Sequence, residues 1–434
     1  MNLPLLQAFS PPSFDQLEKA LQDKHTIALT GLPDGQAAFV ASCLAERTHK
    51  RILLVQTNDL KAGKAADDLQ QLVSVRSAWL PGGEIDLTRG VSSQETEWRR
   101  LETLSHLTAD DVQVLTVSMD ALMQRMGNPR LFRAGTVSLK TDDRYAQHLL
   151  VSHLLHMGYE RTGIVEGKGQ FSLKGSVLDV YPPSSTSGFR IEFFDDIVDS
   201  IRSFDAISQR SLERLHECVI PPANEIILSP DDAPEAAARM RKALNSLRGT
   251  QSTQESQKGD ASLFDDLPPL PESDEELPDY FDEEVAPKIR EQNWSVTQET
   301  EIERRREALL GDADLVEQGL PFRRIRAWAH VLLPETFSLT DWFHPDLIML
   351  CEPDSLRERC RERSVGFSED LATAIERGEA VPAQEHLFRA WDDISQNIQE
   401  YTCVTVSDLT RSMAGLKVED VIKMDMLQLT GYES

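Results

Sequence analysis

The stretch TIALTGLPDGQAA, residues 26–38, sets Gly31 and Gly35 between a short apolar run and a helical pattern. That is where a phosphate-binding loop belongs. Such a loop needs a lysine to reach the β- and γ-phosphates and a Ser or Thr hydroxyl for Mg²⁺, in the order G-x-x-x-x-G-K-[ST]. Here Gln36 and Ala37 follow the glycine, so neither the cation nor the oxygen is supplied. The other Gly-Lys pairs, 63–64 and 167–168, lack the upstream glycine and the hydroxyl. The acidic motif fares no better. After the apolar run Leu347–Leu350 come Cys351 and Glu352 where a nucleotide-hydrolysing motor places an Asp–Glu pair. A thiol is a poor ligand for Mg²⁺, which prefers oxygen. The chain is therefore expected to be no nucleotide hydrolase, with no catalytic residue, cofactor or metal of its own.

Two further groups of residues could carry chemistry or binding. His148, His153 and His156 share one predicted helix, but a metal site also needs a further ligand and fixed outer partners; a surface-helix reading is preferred. On the strands of a predicted hairpin set, Lys174, Arg190 and Phe194 combine two cations with a large ring, the usual makeup of an interface hot spot. From periodicity alone the competing reading stays open: Phe194 packs in a small core and the cations are solvated.

Four segments would position these residues. Residues 1–126 alternate short apolar runs (Thr26–Thr30, Ile52–Thr57, Val112–Val117) with helical patterns at 14–21, 36–47, 60–72 and 96–106, which predicts a parallel sheet covered on both faces. Residues 127–210 open with a helix at 145–157 and turn to alternating strands broken by Gly, Pro and Ser, which predicts an antiparallel, β-rich domain. Residues 211–400 return to the α/β style, with helices at 301–310, 354–363 and 369–379. They include a tract at 251–286 with twelve acidic residues and one lysine, read as a solvated spacer. Residues 401–434 hold a strand pair, 402–406 and 421–429, and read as the start of a further, truncated segment. The expected fold is thus an α/β domain split around an inserted α+β domain.

Charge and cysteine content narrow the function classes. With 45 Lys+Arg against 72 Asp+Glu the chain carries −27, which disfavours sequence-independent nucleic-acid binding unless a local basic patch exists. Segment 127–210 is the exception, with ten residues of each sign. Five scattered cysteines with no C-x-x-C pair exclude a disulfide framework and suit a reducing compartment. There is no membrane-length apolar run. The expectation is a soluble, cytoplasmic, monomeric protein.

The segment from Gly158 to Glu225 carries G-x-F-x-x-K-G-x-x-x-D-x-Y-P (residues 169–182) followed by RIEFFDD (190–196). This pattern resembles the bacterial transcription-repair coupling factors and the corresponding part of the excinuclease protein UvrB. The resemblance implies a degenerate helicase-like core that has lost nucleotide hydrolysis, with Gln36, Ala37 and Cys351 standing where active relatives carry Lys, Ser/Thr and Asp. It implies that the inserted domain recruits the excinuclease protein UvrA through Lys174, Arg190 and Phe194. Lys174 stands where relatives favour Arg, and a lysine cannot make a bidentate contact. For the full-length family it implies an RNA-polymerase-binding domain and an ATP- and Mg²⁺-dependent translocase motor on double-stranded DNA. A nucleotide-dependent motor of the UvrB type is the alternative reading for this chain.

Overall fold

In the computed structural model the described residues are 12–23, 25–32, 35–71, 75–83, 85, 87, 93–257, 286–407 and 417–424, with the backbone alone at 12, 246–257 and 286–301. The strands in chain order are β1 Thr26–Thr30, β2 Ile52–Gln56, β3 Ser77–Leu80, β4 Val114–Ser118, β5 Val137–Lys140, β6 Glu160–Arg161, β7 Gln170–Lys174 and β8 Val177–Val180. They continue with β9 Gly188–Phe194, β10 Ile197–Phe204, β11 Ser211–Leu215, β12 Glu217–Ile220, β13 Leu347–Cys351, β14 Thr402–Ser407 and β15 Asp420–Lys423.

The first sheet is parallel throughout and runs β15-β1-β14-β13-β2-β4-β3. Strands β2, β4 and β13 are buried along their whole length, as expected of unbroken apolar runs between two helical layers. In β2, Ile52 and Leu54 join the core beneath helices Pro12–Asp23 and Gln36–Thr48, while Leu53 and Val55 join the core on the opposite face. That two-residue alternation is what makes each side chain of the run useful. The second face is covered by helices Gln94–Thr108 and Pro353–Glu376 together with the helices Ala233–Gln257 and Ala286–Glu317, which pack on each other.

The insert has its own core. Six strands run β11-β10-β9-β8-β7-β6, all antiparallel except β6 with β7, and β12 pairs separately with β5. Phe171, Leu178, Val180, Ile191, Phe193, Val198 and Ile201 bury one face of the sheet against Leu150 and Leu154 of the helix Gln147–His156. Each fully buried side chain of this size contributes about 1.5–3 kcal/mol relative to exposure. The fold is therefore α/β, with a separate antiparallel β-rich unit inserted in it.

Several expected boundaries differ. The expected end of the insert at 210 cuts β11 and β12 away from the sheets they complete. The strands expected at 402–406 and 421–429, the latter lying outside the described residues from 425 on, are not a pair that opens a further segment; the observed strands β14 and β15 instead join the first sheet without pairing with each other. Strand β14 lies between β1 and β13, and β15 lies on the other side of β1, so the two never touch each other. A parallel sheet recruits strands by the position of their connections rather than by sequence order. The helices expected at 354–363 and 369–379 are one helix, Pro353–Glu376. Residues 258–285 of the acidic tract lie outside the described residues.

Candidate functional site

The degenerate loop sits where a phosphate loop would. β1 ends at Thr30, Gly31 and Gly35 take positive φ of 76° and 93°, and the helix begins at Gln36. Residues 33 and 34 lie outside the described residues. Ala37 is buried, and the Gln36 side-chain oxygen is enclosed without a hydrogen-bond partner. Beside the loop, the Met424 N–H donates to the Thr30 carbonyl at 2.8 Å, and a Cβ on Gly31 would stand 2.9 Å from the Met424 carbonyl. The backbone after β15 therefore lies close against the first glycine. Cys351 is buried at the end of β13, and Glu352 adopts a left-handed conformation (φ 49°) ahead of the helix at Pro353. Its N–H donates to the Val406 carbonyl at 2.8 Å. The two degenerate motifs thus share the carboxyl edge of the sheet, with β14 between their strands.

His148 is exposed, and the other two histidines are occupied locally. His153 Nδ1 lies 3.2 Å from the Tyr145 hydroxyl, and His156 Nδ1 lies 2.7 Å from the Ser152 carbonyl.

Lys174, Arg190 and Phe194 all fall on the outer face of the inserted sheet. Lys174 is paired with Val177, and Val177 with Glu192, so these three share a face. Arg190 and Phe194, two residues either side of Glu192 on β9, share it too. Three cross-strand rows result. At the hairpin end, Arg144, Ile197 and Phe194 lie side by side. The next row holds Ser200, Glu192, Val177 and Lys174. The third holds Arg214, Arg202, Arg190 and Asp179.

The occupants of these rows are in different states. Phe194 does not pack in the core: it is 70% exposed, and Ile197 beside it is 37% exposed. Lys174 is exposed at the β7–β8 turn. Arg190, by contrast, is spent internally. Its guanidinium donates to both oxygens of Asp179 at 2.7 and 2.9 Å, and reaches the Gln209 carbonyl at 3.3 Å and the Ser211 hydroxyl at 3.4 Å. It also stacks 5.1 Å over the Phe204 ring. That ring lies against Gly188, where a Cβ would meet it at 2.2 Å, so only glycine leaves room. The hydrogen bonds to Asp179 and its charge raise the Arg190 pKa further above its ordinary value. Alternation places all three residues correctly, but pairing partners come from register, which a single sequence does not specify.

One cluster has no signature in the sequence. Arg100, on the helix Gln94–Thr108, is buried and donates to both oxygens of Glu225 at 2.9–3.0 Å. Arg326 Nε lies 3.5 Å from the same carboxylate. Arg100 also donates to the Pro81 and Gly82 carbonyls at 2.5 and 3.3 Å. Glu225 follows the last strand of the insert, so this network fastens the insert to the α/β body. Burial alone would raise the Glu225 pKa, but the two guanidinium groups outweigh it and hold the carboxyl below its ordinary value. Arg326 is drawn down to about 10 by burial and by Arg100. No motif announces such a triad, because its members are far apart in the chain.

The chain is thus a split α/β layer carrying an inserted antiparallel sheet with an exposed aromatic, Phe194, on its outer face. Residues 137–226 match the family described as the UvrB interaction domain. The chain resembles an N-terminal region of the bacterial transcription-repair coupling factors. It is 32% identical over 258 residues to the transcription-repair-coupling factor of Bacillus subtilis strain 168, covering 58% of this chain and 22% of that protein. It is 26% identical over 280 residues to the protein of the same name from Staphylococcus aureus strain MRSA252, covering 64% of this chain and 23% of that one. For Staphylococcus epidermidis strain ATCC 12228 the figures are 28% over 233 residues, 53% and 20%. The chain spans about a fifth of the length of the curated relatives it matches.

Proposed function

We propose that this chain is a docking module of transcription-coupled nucleotide excision repair, and that it recruits the excinuclease protein UvrA through the outer face of the inserted sheet around Lys174, Arg190 and Phe194. The observation that carries the reading is Phe194. A phenylalanine 70% exposed on a hairpin strand, with Ile197 beside it, forgoes burial that the adjacent core could have provided. Exposed aromatic side chains with nearby cations are the groups that dominate protein–protein contacts.

In this reading the α/β body is a scaffold. It lacks the lysine, hydroxyl and aspartate of a nucleotide-hydrolysing site at Gln36, Ala37 and Cys351. ATP, Mg²⁺, RNA polymerase and double-stranded DNA belong to the motor of the longer relatives. The module acts as a monomer in the cytoplasm. Co-elution of the purified chain with purified UvrA on size exclusion tests the reading; separate elution at micromolar concentrations contradicts it.

A further inference from the structure

The three cross-strand rows of the inserted sheet hold five cations, Arg144, Lys174, Arg190, Arg202 and Arg214, against two carboxylates, Asp179 and Glu192. Arg190 is closed onto Asp179, and Glu192 accepts a 2.8 Å bond from Ser200. Arg202 stands directly between Arg190 and Arg214, a like-charge arrangement that weakens a sheet. Its guanidinium comes no closer than 3.9 Å to Glu192, beyond hydrogen-bond distance, and the side chain is 43% exposed. Arg144 is exposed and flanks Ile197 at the other end of the patch. A chain of charge −27 thus gathers weakly compensated cations on the same sheet face as an exposed aromatic side chain.

Resting on the reading above, the geometry points to Arg202 and Arg144 as further guanidinium groups that meet the partner, beyond Arg190, which is also tied to Asp179. The Phe194–Ile197 pair, in the row of Arg144 and two rows from Arg202, is the apolar anchor. The surface they fit is a protein surface with an apolar pocket bordered by carboxylates, which would be on UvrA. Charge complementarity selects it, and the exposed apolar pair favours a protein over a phosphate backbone, which offers nothing for Phe194 and Ile197 to bury against. Arg190 shapes the sheet from within.

The test is titration of purified UvrA with the full chain and with Arg202→Gln, Arg144→Gln, their combination, and Phe194→Ala, at two salt concentrations. Melting temperatures verify folding, and a double-stranded oligonucleotide serves as competitor. The double glutamine variant is expected to bind at least tenfold more weakly and with a shallower salt dependence, while melting like the unmodified chain. Full affinity in that variant, alongside loss in Phe194→Ala, overturns the assignment of the cations and leaves the docking reading standing. No binding by the unmodified chain overturns both. Displacement of UvrA by the oligonucleotide, lost in the same double variant, overturns the choice of a protein surface. If a glutamine variant melts early, Arg202→Lys replaces it: it keeps the charge, so retained salt dependence with weakened affinity still supports a guanidinium contact, and unchanged affinity contradicts it.

Discussion

The Arg190 guanidinium is closed onto the Asp179 carboxylate across the β8–β9 ladder by two parallel bonds of 2.7 and 2.9 Å. These bonds, with those to the Gln209 carbonyl and the Ser211 hydroxyl, brace β8, β9 and the loop before β11. Removing Asp179 leaves a largely covered guanidinium without its partner, a loss worth about 1–3 kcal/mol. Asp179→Ala is expected to lower the denaturant midpoint accordingly, with no change in the slope of the transition.

The Arg100–Glu225–Arg326 network makes stability depend on pH. Glu225 has a folded pKa below that of the unfolded chain, about 4.3 for a free glutamate. Its contribution is therefore fully present above that unfolded value and lost as pH falls through the lower folded one. Glu225→Gln is expected to destabilise the chain at pH 7 by about 3–5 kcal/mol, the cost of leaving buried charge unpaired. It should also flatten the acid limb of a stability–pH curve measured by thermal melting.

The cysteines are predicted to be silent. All five are buried. Burial pushes the thiols of Cys43, Cys218 and Cys403 up to about 12 and that of Cys360 to about 11. Since the thiolate is the reactive form, a chromogenic thiol reagent at pH 8 should label the native chain slowly and label all five sites once it is denatured.

Nucleotide turnover should be absent. With Gln36, Ala37 and Cys351 at the positions that would hold phosphate and Mg²⁺, phosphate release from ATP by the purified chain is expected at the level of buffer alone. Turnover abolished by a Gly35→Pro change would contradict this.

The fold is legible where one periodicity rules a segment. The apolar runs at 26–30, 52–57 and 112–117 form β1, β2 and β4 to within two residues, and the accompanying helical patterns form helices displaced by no more than a residue or two. β3 gives a weaker signal: its apolar run, Ala78 to Leu80, is only three residues long, and of the strand only Leu80 is fully buried. The partnership of β14 and β15 with β1 is illegible, because nothing local to 402–423 shows that a strand at 26–30 lies between them. The same holds on the insert. Alternation brings Lys174, Arg190 and Phe194 to one face, whereas the pairing of Arg190 with Asp179, and the lack of such a close partner for Arg202, depend on register and on rotamers.

If Phe194 anchors the docking of UvrA, a calorimetric titration of that protein with the unmodified chain and with Phe194→Ala shows it. The expected result is saturable binding weakened by about 2 kcal/mol or more, the loss typical of a hot-spot aromatic, with the melting temperature unchanged because the exposed ring supports no core. Equal affinity for the two chains, or no binding by either, would contradict it.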